Sequence, residues 1–137
     1  MYPNAYNSYR QTQIQTASPE RLLVLLYDGA IRYARQAATA IEKGDTRQAN
    51  EGFVRCTDII TELMSTLNFE AGEIADNLYR LYEYLNYRLL QANLKRDSQM
   101  VNEVVGHLSS LREAWVQISA TPVETAPATR PAVSINA

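Results

Sequence analysis

Apolar side chains recur at intervals of three and four residues through four stretches of this chain, the spacing that aligns one face of an α-helix. Leu22, Leu23, Leu26, Ala30, Tyr33, Ala37 and Ile41 form the first stripe, and Phe53, Cys56, Ile60, Leu63 and Leu67 the second. Ile74, Leu78, Leu81, Tyr82, Leu85 and Leu89 form the third, and Val101, Val104, Leu108, Leu111 and Trp115 the fourth. Residues with end-of-helix chemistry separate them. Ser18-Pro19-Glu20 combines a capping hydroxyl, a proline at the first helical position and an acid in the positive first turn. Gly44 supplies a left-handed stop, and Asp45 with Gln48 three residues later resembles a capping box. Asn68-Phe69-Glu70-Ala71-Gly72 interrupts the pattern, and Asp97-Ser98 restarts it. Helices are therefore predicted over about residues 19–43, 46–67, 72–95 and 98–119. Connections this short force neighbouring helices to run antiparallel, so the expected fold is all-α: an antiparallel up-down four-helix bundle spanning 18–119.

The ends of the chain read differently. Tyr2, Tyr6 and Tyr9 follow spacings of four and three, and with Ile14 they make residues 1–17 apolar enough to fold back on the bundle as a short cap. Asn4, Asn7, Arg10, Gln11 and Gln13 keep the same segment polar enough to come away. Over 120–137, Pro122, Pro127 and Pro131 recur among Ala, Thr and Val without periodicity, which predicts a flexible tail.

Subtracting the four stripes leaves large apolar residues on other faces. With Leu26 at the centre of the first buried face and an advance of about 100° per residue, Val24, Tyr27 and Ile31 gather on a second flank. On the third helix, centred on Leu78, Tyr79, Tyr87, Leu90 and Leu94 share a flank while Tyr84 points the other way. Such residues are either covered by a broad buried face, or form a contiguous apolar surface for a partner helix. Self-association into a homodimer through these flanks is the alternative to a foreign partner.

Composition narrows the function classes. The chain has 137 residues, 46% hydrophobic and 20% charged, which suits one domain with one core. A formal net charge of −2 argues against nucleic acid as the partner, and the longest apolar run, Leu22 to Tyr27, is far too short for membrane insertion. A single cysteine, Cys56, fits a reducing, cytoplasmic setting, and its place on the second stripe reads as packing rather than nucleophilic use. One histidine, His107, cannot supply the Glu-x-x-His pairs of a di-iron bundle or a zinc pair. The five glycines are scattered outside any phosphate-cradling loop. The expectation is a binding protein, not an enzyme, with no metal and no cofactor.

Three motifs carry a family resemblance. Thr16-Ala17-Ser18-Pro19-Glu20 leading into Leu25-Leu26-Tyr27-Asp28-Gly29-Ala30 resembles the opening of the FliS-type flagellin export chaperones. Glu73 to Leu85 with Gln91-Ala92-Asn93, and Leu111-Arg112-Glu113-Ala114-Trp115, resemble that family in the same order and spacing. The likeness runs from about Tyr6 to Trp115, departing where Ala71-Gly72 stands in place of a common Gly-Gly pair. It implies a cytoplasmic chaperone that holds the disordered carboxy-terminal segment of flagellin unpolymerised and ready for flagellar type III export. The flagellar export apparatus is then a further candidate partner. It also implies that the amino-terminal segment covers part of the flagellin site in the free protein, which makes Tyr6, Tyr9, Ile14 and Tyr27 members of a switchable surface. Val24, Ile31, Tyr79, Tyr87, Leu90 and Leu94 join them on helical geometry alone.

Overall fold

The computed structural model describes residues 18–120. Within them run α1 (Pro19–Lys43), α2 (Thr46–Ser65), a single 3-10 turn (Phe69–Ala71), α3 (Glu73–Lys95) and α4 (Ser98–Ala120). The expected cap over 1–17 and tail beyond 120 lie outside the described residues.

Each helix begins and ends where backbone groups find a substitute partner. Ser18 accepts from the Arg21 amide at 3.1 Å and Pro19 follows at once, so α1 starts without an orphaned donor. Gly44 closes it at φ 76, a left-handed conformation that lets the Gly44 amide reach back to Ile41 and the Asp45 amide to Ala40. Asp45 caps α2 by accepting from the Gln48 amide at 3.1 Å. α2 stops at Ser65, slightly short of the predicted 67, because the Thr66 hydroxyl turns back onto the Leu63 carbonyl at 2.7 Å. The 3-10 turn then carries the chain to Gly72 at φ 89, so α3 proper opens at Glu73. α3 closes on Arg96, a non-glycine residue at φ 51, whose guanidinium donates to Asn50 on α2 at 3.0 Å. Asp97 caps α4 through the amides of Gln99 and Met100.

Cross-links give the topology. Asp28 pairs with Arg112 and Glu42 accepts from Ser98, so α1 and α4 run in opposite directions. Asn50 with Arg96 and Thr61 with Asn86 do the same for α2 and α3. α1 packs extensively against both α2 and α4, while α3 closes the ring against the same two helices less tightly, on the diagonal from α1. The result is an antiparallel up-down four-helix bundle.

Close approach explains the tight side. Ala30, Ala34 and Ala37 on α1 are fully buried, and a Cβ on Gly52 of α2 would lie 2.7 Å from the Tyr33 carbonyl oxygen and 2.9 Å from the Ala37 nitrogen. Only a residue without a side chain lets the two backbones come this near. Phe53, Cys56, Ile60 and Leu63 from α2, Tyr82, Leu85 and Leu89 from α3, and Val101, Val104, Leu108 and Trp115 from α4 complete the core. Ile74, assigned to the third stripe on spacing, is instead 41% exposed.

Candidate partner-binding site

The two surplus flanks part company in the structure. On α1, Val24, Tyr27 and Ile31 are not a surface: they are 4%, 0% and 7% exposed and belong to the core. The reason is the position of the face. Its centre lies near Leu23 and Ala34, about 80° round from Leu26, and with α2 on one side and α4 on the other the buried arc exceeds half the circumference. Tyr27 also reaches across the diagonal, where its hydroxyl and that of Tyr82 share a hydrogen bond of 2.5 Å. Burial raises the pKa of both phenols, so both stay neutral.

On α3 the flank stays outside. Tyr87 is 56%, Leu90 55% and Leu94 76% exposed. Tyr79 is half-buried, its ring meeting Phe69 edge to face at 5.7 Å between centroids. The Asn86–Thr61 and Arg96–Asn50 bonds bracket this stretch of α3 and the stretch of α2 that holds Val54. Val54 is itself 57% exposed, so it joins Leu90 and Leu94 along the α2–α3 seam. Thr57, on the same side of α2, turns its hydroxyl back to the Phe53 and Val54 carbonyls at 3.0 and 3.1 Å and does not make the seam more polar. From Tyr79 to Leu94 the line runs roughly 22 Å along the helix. That length suits several turns of a docked amphipathic segment.

The opposite edge of α3 has different chemistry. Arg88 donates to Glu103 of α4 at 2.6 Å and the Tyr84 hydroxyl donates to the same carboxylate at 2.8 Å. His107 stands edge-on to the Tyr84 ring. The Arg88 guanidinium first, and the Tyr84 hydroxyl second, hold the Glu103 carboxyl below its ordinary range; the same bond to Glu103 raises Tyr84. This edge is a polar clasp, so the contiguous line of uncovered apolar side chains lies on the α2 side.

Val54 and Phe69 were missed by sequence reasoning. Val54 carried a readable signal: it sits about 120° from Ile60 on α2, the same surplus position that singled out Leu90 on α3. Phe69 fell in the interruption between helices, where periodicity says nothing. Tyr6, Tyr9 and Ile14 lie outside the described residues. Cys56 is fully buried, and desolvation pushes its thiol pKa up to about 12, which leaves no thiolate for chemistry near neutral pH. Among the described residues no three of His, Cys, Asp or Glu are grouped as metal ligands, and no helix is long and apolar enough to cross a membrane.

A sealed helical core bordered by a line of uncovered apolar side chains is the architecture of a helical bundle with an apolar flank of the kind a protein partner can cover. The sequence profile of the flagellar protein FliS matches residues 2–122. The chain is 40% identical over 114 residues to the flagellar secretion chaperone FliS of Bacillus subtilis, covering 83% of this chain and 85% of that one. It is 42% identical over 111 residues to FliS of Salmonella typhimurium, covering 80% and 82%, and 37% identical over 115 residues to FliS of Campylobacter jejuni, covering 83% and 90%. The chain belongs to the FliS family of flagellar secretion chaperones.

Proposed function

We propose that this protein binds the disordered carboxy-terminal segment of flagellin in the bacterial cytoplasm, blocks its premature polymerisation and keeps it competent for flagellar type III secretion. The observation that carries the reading is the uncovered line of Tyr87, Leu90 and Leu94 beside Val54, in a chain of this family. A segment that is disordered alone and helical when bound gains its folding energy by laying an apolar stripe into such a seam, with no nucleotide needed. The half-buried Tyr79 and its partner Phe69 extend the seam toward the α2–α3 turn.

Titrating the full chain with a carboxy-terminal flagellin peptide, read by calorimetry and circular dichroism, tests this directly. The expected result is a stoichiometric complex with a gain in helicity, weakened about ten-fold or more by Tyr87→Glu or Leu94→Glu, which bury a charge at the contact. Stoichiometric chaperone should also suppress seeded flagellin polymerisation followed by light scattering. No helicity change on mixing, or full affinity in both variants, overturns the assignment. Dimers of the chaperone that the peptide fails to dissociate would give the seam to self-association instead.

A further inference from the structure

On the other side of α2 from the apolar seam, a cleft of about 390 Å³ opens between the second half of α1 and the first turn of α2. Its lining has the opposite character. Arg32, Arg35 and Lys43 project from α1, with Gln36 and Thr39 between them and Gln48 facing from α2. Ala40, 3% exposed, is the one apolar residue of the lining. The two glutamines brace each other, Gln36 Nε2 donating to the Gln48 carbonyl at 3.2 Å and to its Oε1 at 2.9 Å, so the walls are tied together.

Cations outnumber acids in the cleft three to one. The one acid, Asp45, is committed to the amino terminus of α2 through the Gln48 amide, and that terminus adds its own partial positive charge. Among the described residues, the ion pairs join Arg55 to Glu51, Arg88 and His107 to Glu103, and Arg112 to Asp28, and none involves Arg32, Arg35 or Lys43. Arg32 is held in place over the Tyr33 ring, 5.0 Å from its centroid. A chain of net charge −2 thus concentrates cations on one groove.

We infer that this cleft docks an acidic segment of a second protein, independently of the apolar seam. Arg32 and Lys43 are separated by roughly 16 Å along α1. A lone phosphate reaches one end of such a line, whereas a segment with carboxylates at helical spacing reaches all three cations, and guanidinium groups hold carboxylates two bonds at a time. With Ala40 the one apolar residue of the lining, recognition rests on the three cations and is therefore salt-dependent. Because the cleft borders α1 and the seam borders α3, occupation of one leaves the other open.

Fluorescence anisotropy with a labelled peptide bearing glutamates at three- and four-residue spacing tests the inference against the same peptide carrying glutamines. Expected are saturable binding of the glutamate peptide that weakens with added salt, binding of the glutamine peptide at least about ten-fold weaker, and a similar loss in R32E/R35E and in R35E/K43E. R80E, which changes an exposed arginine on α3, should bind as the parent does, and circular dichroism should show all variants equally helical. Equal affinity for both peptides, or an equal loss in R80E, overturns the site in favour of diffuse attraction. Competition by inorganic phosphate at equal concentration overturns the acidic-segment reading in favour of a small anion.

Discussion

α1 and α3 stand diagonally opposite in the bundle, and each carries more large apolar residues than a narrow buried face can hold. α1 hides its excess and α3 displays it. The difference lies in the neighbours. α1 is drawn against α2 through Gly52 and its own alanines, and against α4 through Asp28 and Glu42, so more than half its surface is enclosed. α3 touches the same two helices less closely and is held to α4 by an exposed polar clasp, which leaves its α2-facing flank in water. An apolar stripe is core or binding surface according to how near its neighbours can come, and small residues decide that distance.

The widest contrast comes from truncating one residue of each surplus. Tyr27→Ala should cost about 3–5 kcal/mol, since it opens a cavity and orphans the Tyr82 hydroxyl, whereas Leu94→Ala should stay within about 0.5 kcal/mol. Urea denaturation measures both, and equal losses would erase the distinction between the two flanks. Glycine substitutions give the next effect. Gly52→Ala forces a methyl against backbone on α1 and should destabilise by about 1–3 kcal/mol, while Gly106→Ala, with open space around its Cβ, should gain about 0.5–1 kcal/mol. A neutral Gly52→Ala in thermal melts would mean that α1 and α2 are not locked together there.

A third measurement asks whether the wall shared by both helices opens on its own. Burial of Cys56 and its raised pKa predict that a thiol reagent modifies it only through unfolding, with rates that follow denaturant-dependent opening. Labelling at the rate of an exposed thiol would show α3 leaving the bundle separately. The smallest effect concerns the clasp. Glu103 has its pKa lowered on folding, so its pairing stabilises above the ordinary value of 4.5 and fades as acid protonates it in the folded state. The melting-temperature gap between the parent and Glu103→Gln should be present at neutral pH and close below 4.5; a gap unchanged in acid would deny the clasp a role.

The helix ends were the most legible feature of the sequence, because caps are local: Ser18-Pro19, Gly44 and Asp45 act on amides within a few residues. The α2 and α4 stripes were equally readable, with Phe53, Cys56, Ile60 and Leu63 all inside. The error on α1 came from letting large side chains set the centre of the face. Alanine buries little area and weighs little in a periodic pattern, yet Ala34, left off the predicted stripe, is fully buried and lies with Leu23 at the true centre. Exposure of the α3 flank could be anticipated from angle alone, but that of Ile74 could not, since its spacing places it on the buried stripe and it lies in the first turn of α3, where neighbours in sequence do not say what covers it. Contacts between helices far apart in sequence, such as Glu103 with Arg88 and Tyr84, leave no mark on local pattern.

The hydroxyl bond between Tyr27 and Tyr82 gives the molecule a fixed datum line. Apolar contacts are non-directional and leave α3 more freedom to slide along or roll about its axis than a hydrogen bond does. Two phenol oxygens buried in the same spot tolerate no such freedom: a shift of one turn, about 5.4 Å, strands both. The Asn86–Thr61 and Arg96–Asn50 bonds set α3 against α2 in the same way, so Leu90 and Leu94 keep a constant spacing from Val54, although none of the three is itself packed in place. A ruler built inside the protein thus sets the spacing of side chains on its outer edge.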